Sequence, residues 1–163
     1  TLIDERGVCP NGWHVPSDEE WKEMELYLGI CEGSIGLENS NAYIESAGYV
    51  NGCIDNEGWI GTDEGSKLAG NSNLWNYGNL ENNSEFGTSG FNGLPAGYRS
   101  GYMHQTGGSY NSLSSYGYYW SSSDYSINSS TSYWYRKLLY TTTSVARSIT
   151  ISQSGLSVHC LKD

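Results

Sequence analysis

Between Ser109 and Tyr135 the chain reads SYNSLSSYGYYWSSSDYSINSSTSYWY, and its only charge is Asp124. Tyrosine and serine dominate, Trp120 and Trp134 sit among them, and Asn111, Gly117 and Asn128 interrupt the run. Rings this large and half-polar must form a core, line a contact surface, or stay in a disordered segment. The choice matters because Leu, Ile, Val and Phe make up under a fifth of the 163 residues. So low an aliphatic content on its own points to disorder. The 6 Trp and 14 Tyr point the other way, since each buried aromatic ring removes roughly 150–250 Å² from water. The sequence predicts one folded domain over residues 1–163 with an aromatic-heavy core.

The net charge of −10 is unevenly placed: of the 18 acids, only Asp124 and Asp163 lie beyond Glu85. From Phe86 onward Arg99, Arg136, Lys137, Arg147 and Lys162 outnumber them. No basic stripe exists, which excludes a role in tracking nucleic-acid phosphates. The acidic half reads as a solubilising body. No apolar run is long enough to enter a bilayer. The opening TLIDERGVCP reads like the interior of a longer chain, so attachment to a larger protein is expected.

Cys9, Cys31, Cys53 and Cys160 include no Cys-x-x-Cys pair, which argues against a zinc knuckle or redox motif. Four cysteines allow three pairings. The reading adopted is Cys31–Cys53 around a Gly/Ser/Asn-rich insert and Cys9–Cys160 between the chain ends, the alternative being four buried thiols. Disulfides imply an oxidising, extracellular compartment.

In VPSDEEWKEMELYLG, Ser17 and Glu20 form a capping box. The acids Asp18, Glu19 and Glu20 suit the positive end of the helix dipole. Trp21, Met24, Leu28 and Leu26 follow helical spacing, and Gly29 stops the helix. A shorter helix is expected in GTDEGSKLAG, capped by Thr62 and weakened by Gly65. No helix signal follows Ala69. Strands are expected at Gly90–Arg99, Tyr118–Ser122, Tyr133–Tyr140, Val145–Ile151 and Leu156–Leu161, giving an α+β order.

Six separated stretches carry a resemblance: CPNGWHVPSDEEW, GWIGTDEGSKL, SGFNGLPAGYR, YYWSSS, YWYRKL and GLSVHCLKD. In this order, from Gly7 to Asp163, they resemble the Fibrobacter succinogenes major paralogous domain, found in many Bacteroidetes surface proteins and lipoproteins. The resemblance implies a C-type-lectin-like fold of the branch shared with formylglycine-generating-enzyme-like domains. Two helices would flank a small, twisted, mostly antiparallel sheet with long loops, and the N- and C-terminal strands would be adjacent. That arrangement fits the Cys9–Cys160 pairing, because both cysteines sit inside family motifs. Some family members are targets of diversity-generating retroelements and are thought to sit on pilus tips or other adhesins. The segment from Tyr102 to Ser154 departs from the family pattern where such rewriting would act, notably in YTTTSVARSITISQSG.

Enzymatic readings are weak. His14, His104 and His159 are scattered, and only Cys160 lies where the catalytic formylglycine branch needs a reactive cysteine pair. His14, inside GWHVP, is expected to be a satisfied buried histidine, and His159 a packing residue. Asp55, Glu57 and Asp63 are weak calcium candidates without lectin-type sugar-binding signatures, so no metal or other cofactor is assigned. Trp13, Trp21, Trp59, Trp120 and Trp134 fall in or beside family motifs and are expected in the core, while Trp75 is divided between core and surface.

The motifs around the Tyr/Ser segment must be ordered, which removes disorder as an answer. Burying every hydroxyl would cost about 1–3 kcal/mol for each one left unsatisfied, which removes a pure core. Tyr119, Trp120, Trp134 and Arg136 therefore read as framework, alternating with side chains of the kind antibody contact loops use. The expected ligand surface is Tyr102, His104, Tyr110, Asn111, Tyr125, Asn128, Tyr133, Lys137, Thr141, Thr142, Ala146, Ser148 and Thr150. The expected function is a non-enzymatic adhesin or receptor domain on a bacterial surface or pilus-tip protein. It would take a protein or glycan ligand on another cell or host surface. The alternatives are a fixed-specificity carbohydrate-binding module and a structural spacer.

Overall fold

The computed structural model describes residues 7–31, 54–101, 108–127 and 130–163. The chain is α+β with few helices and antiparallel sheets. In order it forms β1 (Trp13–His14), α1 (Asp18–Tyr27), β2 (Gly58–Ile60), α2 (Glu64–Leu68), a 3₁₀ turn (Ser72–Leu74) and α3 (Asn79–Asn82). There follow β3 (Tyr98–Arg99), β4 (Tyr110–Asn111), β5 (Tyr116–Ile127), β6 (Ser130–Leu139), β7 (Val145–Ile151) and β8 (Leu161–Lys162).

The principal sheet has strand order β2-β7-β6-β5, and each neighbouring pair is antiparallel. Val145–Ile151 coincides with the predicted strand. The strands expected over Gly90–Arg99 and Leu156–Leu161 shrink to two residues each, β3 and β8. The single-turn helices after Ala69 correct the expectation of none there. They are too short to show a 3.6-residue period, so the sequence carries no signal for them.

Helix α1 begins as predicted. The Ser17 hydroxyl accepts from the Glu20 amide at 3.2 Å, and the Glu20 carboxylate accepts from the Ser17 amide at 2.8 Å. Its buried face is not the apolar stripe that helical spacing predicts. Asp18, Trp21, Lys22 and Glu25 point inward, while Met24, Leu26 and Leu28 are partly buried at the margin. In α2, Gly65 is required: a Cβ there would lie 2.2 Å from the carbonyl oxygen of Ser144. That close approach lets the Ser66 amide donate to the Thr143 carbonyl across the β6–β7 turn.

Strand β5 bulges between Trp120 and Asp124. The released backbone docks the start of α1, since the Ser122 amide donates to the Pro16 carbonyl and the Asp18 amide to the Ser123 hydroxyl. One face of the sheet packs on α1, α2 and the central loops through Trp21, Ile60, Leu68, Trp75, Leu80, Tyr119, Leu138 and Val145. On the other face Trp120 and Tyr133 pack with Val15, Leu156, Val158 and Cys9 from the two chain ends.

The interface beneath α1 is ionic. Arg136 and Arg147 stand opposite each other on β6 and β7. Arg136 donates to Glu25 at 2.6 and 3.1 Å and to Asp18 at 2.7 Å. Arg147 donates to Asp18 at 2.7 Å and to the Asp55 carbonyl at 2.7 Å, and its guanidinium lies 3.4 Å from the Trp134 ring centroid. Burial alone would raise the Asp18 carboxyl, but hydrogen bonds and charge from Arg147 and Arg136 hold it below its ordinary value.

The chain ends meet as expected. β1 pairs antiparallel with β8, Trp13 opposite Lys162, and Cys9 is bonded to Cys160. Cys31 is also disulfide-bonded, while Cys53, its expected partner, lies outside the described residues. His14 corrects the expectation of a buried histidine. It is part-exposed, with Asp163 at 2.6 Å from Nδ1 and Glu20 at 2.9 Å from Nε2. Hydrogen bonds to Asp163 and then Glu20 raise its pKa. A raised folded-state pKa stabilises fully below the unfolded value of about 6.5 and is lost as pH rises through the folded one. His159 is shifted the opposite way by burial, so the informative quantity is a difference between variants. Melting curves from pH 5.5 to 9 are expected to show wild type above His14→Gln at the acid end, with the gap closing as pH rises. A gap independent of pH would remove the charged clamp.

Candidate functional site

Side chains alternate across a strand, so the face of the sheet opposite α1 can be read from the register. Trp59 on β2 stands opposite Ala146 on β7, Ala146 opposite Lys137 on β6, and Lys137 opposite Tyr118 on β5. In the next row Ser148 faces Tyr135 and Tyr135 faces Trp120. Among the described residues, the two chain ends pack on this face around Trp120, Tyr133 and the edge of Tyr135.

Bordering that cluster is a cleft of about 260 Å³ lined by Tyr98, Ser100, Gly101, Tyr118, Tyr135, Thr150, Ser154 and Leu156. Its rings brace one another. Tyr118 contacts Tyr98 edge-on at 5.1 Å, stacks on Tyr116 at 5.5 Å and meets Tyr135 at 5.8 Å. Burial, reinforced by Tyr135, Tyr116 and Tyr98, pushes the Tyr118 phenol up. It is therefore a neutral hydroxyl at physiological pH, able to donate or accept. The Lys137 ammonium lies over the Trp59 ring at 5.0 Å from its centroid, and burial lowers its pKa. Rings fixed by neighbours on paired strands offer contact area without a large ordering cost.

The expected ligand residues divide across this geometry. Thr150 lines the cleft. Lys137 and Ser148 share its face by register, and Asn111 stands opposite Tyr98 with Tyr110 exposed beside it. Thr141 and Thr142 lie in the β6–β7 turn, where the Thr141 carbonyl accepts from Asn79 and the Thr142 and Ser144 hydroxyls bond. Tyr125 sits edge-on to Trp134 at 4.8 Å, away from the cleft. Two placements are corrections: Tyr133 is buried against Trp120, and Ala146 is buried within the cross-strand row. Tyr102, His104 and Asn128 lie outside the described residues.

Tyr98, Tyr116, Tyr118, Tyr135 and Ser154 line or brace the cleft without having been expected there. The available signal is the period of two in YGYYW and YWY, which puts Tyr116 and Tyr118 on one face and Tyr119 on the other. Of the tryptophans expected in the core, Trp21, Trp120 and Trp134 are buried, whereas Trp13 and Trp59 are exposed. Trp75 is buried, its indole donating to the Gly70 carbonyl. His159 is a packing residue, stacked on Phe91 with ring centroids 4.0 Å apart. Among the calcium candidates, Asp55 pairs with Lys22 and Asp63 with Lys67.

Fold and site together define a small α+β domain, its chain ends joined by a disulfide, with an aromatic cleft on one face of the principal sheet. Residues 1–162 match the family model of the Fibrobacter succinogenes major domain (Fib_succ_major), and the chain belongs to that family. No curated protein and no solved structure matches it.

Proposed function

We propose that this chain is a ligand-binding domain of adhesin or receptor type with a C-type-lectin-like fold, working on the outside of a bacterial surface or pilus protein. The observation that carries the reading is the tyrosine- and hydroxyl-lined cleft on paired strands, next to Lys137 and the exposed Trp59. The side chains there suit contact rather than turnover. The lectin-like fold is supported by the paired chain ends and by a helix lying on one face of a four-stranded antiparallel sheet. The Cys9–Cys160 bond favours an oxidising exterior. Retroelement diversification of residues 102–154 belongs to the same reading, because Lys137, Ser148, Thr150 and Ser154 all fall in that range.

The test is binding of the purified domain to glycan panels and to bacterial and host cell surfaces, repeated with Tyr98→Ala and Tyr135→Ala. Each variant is expected to lose at least tenfold in affinity while remaining folded, as central aromatic contacts do. Full binding by both variants would sink the assignment of this face.

A further inference from the structure

We propose that this face takes an acidic saccharide, whose carboxylate pairs with Lys137 between Trp59 and the tyrosine cleft; the inference rests on the binding role proposed above. Lys22, Lys67, Arg136 and Arg147 each have a carboxylate oxygen within hydrogen-bonding distance, at 2.6, 2.8, 2.6 and 2.7 Å. Lys137 is half-buried and makes no ion pair with a described residue, in a chain holding 18 acids against 8 Lys and Arg. Its ammonium rests over the Trp59 ring instead. A half-desolvated ammonium of this kind gains most from a ligand that brings its own carboxylate, because charge-assisted hydrogen bonds are about twice as strong as neutral ones. Burial already pulls Lys137 below its ordinary pKa, and a bound anion would reverse that shift.

The surroundings favour a sugar over a peptide. Peptides commonly dock by adding a strand to an open sheet edge, but Lys137 is on β6, which is paired on both sides. That leaves side chains only. The 260 Å³ cleft is smaller than the roughly 300–1,000 Å³ of drug-sized sites. Its walls combine the ring planes of Tyr118 and Tyr135 with the hydroxyls of Thr150 and Ser154. A pyranose ring presents the matching pattern, an apolar face bordered by hydroxyls. Trp59, 43% exposed, offers a second ring plane three strand spacings from Tyr118, about 14 Å away. That span suits more than one sugar unit, with the acid between.

The experiment is an amide chemical-shift titration of the labelled domain with a glucuronate-terminated disaccharide and with sialyllactose. Their neutral parents and a glutamate-rich peptide serve as comparisons. An acidic saccharide is expected to move the amides of residues 58–60, 116–118 and 135–137. Binding should weaken at least tenfold in Lys137→Gln and recover in Lys137→Arg. Equal binding of the neutral parent, undiminished binding by Lys137→Gln, preference for the acidic peptide, or no shift with either acidic sugar would overturn the proposal. If another ligand then moves these same amides, only the ligand class falls. If a ligand moves amides elsewhere instead, the binding role of the face falls with it.

Discussion

Replacing Arg136 by methionine is expected to cost about 3–5 kcal/mol, the range for breaking a buried ion pair from one side. Arg136 is fully buried and carries two carboxylates, Glu25 through both oxygens and Asp18 through one. Methionine fills much of the volume and satisfies neither acid. Asp18 keeps Arg147, so the stranded charge is chiefly Glu25. For a small domain this loss is a large part of total stability. The sign of its pH dependence follows. Burial already holds the Glu25 carboxyl above its ordinary value against the charge and hydrogen bonds of Arg136. Without Arg136 it rises further, so the variant recovers stability relative to wild type as pH falls and Glu25 protonates. Its deficit against wild type is expected to narrow from pH 7 towards about pH 5. The double variant Glu25→Leu/Arg136→Met, which removes both charges, should be clearly more stable than Arg136→Met alone. Urea denaturation of the three proteins checks this. A deficit under about 1 kcal/mol for Arg136→Met would show the pair to be as weak as a surface one.

This ion network also marks the limit of what local sequence can report. The start of α1 was legible because a capping box lies within four residues of chain. The inner face of the same helix was not. Asp18 and Glu25 looked like solvated acids, because their partners lie far along the chain, 118 and 111 residues away at Arg136. No local period reports such a pairing. The framework residues Tyr119, Trp120, Trp134 and Arg136 were legible through family motifs, and all four are buried.

For the candidate site, composition could be read from the sequence but register could not. A strand turns each side chain to the opposite face from its neighbour, so an error of one residue moves an assignment through the sheet. Tyr133 and Tyr135 share a face, but Tyr133 is buried in the Trp120 cluster, whereas Tyr135, two residues along β6, packs at its margin and lines the cleft. The bulge after Trp120 shifts the β5 pairing, and bulges of this kind leave no mark in a Tyr/Ser-rich sequence. Tyr125 lies beyond it and meets Trp134 instead of the cleft. Composition alone names the ring types, and only the strand register selects which of them line the cleft.

Removing the Cys9–Cys160 bond, as Cys9→Ser/Cys160→Ser, is expected to lower stability by about 4–5 kcal/mol in the chain-entropy account. The bond joins residues 151 apart, so it closes a loop of almost the whole chain, and the entropy withheld from the unfolded state grows with the logarithm of that length. What the bond holds in the folded state is local and short. β1 and β8 contribute only Trp13↔Lys162 and His14↔Leu161, supported by the Asp163 amide on the Gly12 carbonyl and by the His14 contacts. Two-residue strands cannot persist alone, so without the covalent link the ends are expected to fray before the sheet melts. Cys9 also packs against the Trp120–Tyr133 cluster, which couples the fraying to the back of β5 and β6. Hydrogen exchange in the double serine variant should therefore show lost protection at residues 9–15 and 156–163. The β6–β7 ladder should keep most of its protection until global unfolding. Uniform loss across all strands would mean that the chain ends and the principal sheet fold as one unit. A stability change near zero would mean that the paired ends already restrict the unfolded chain without the bond.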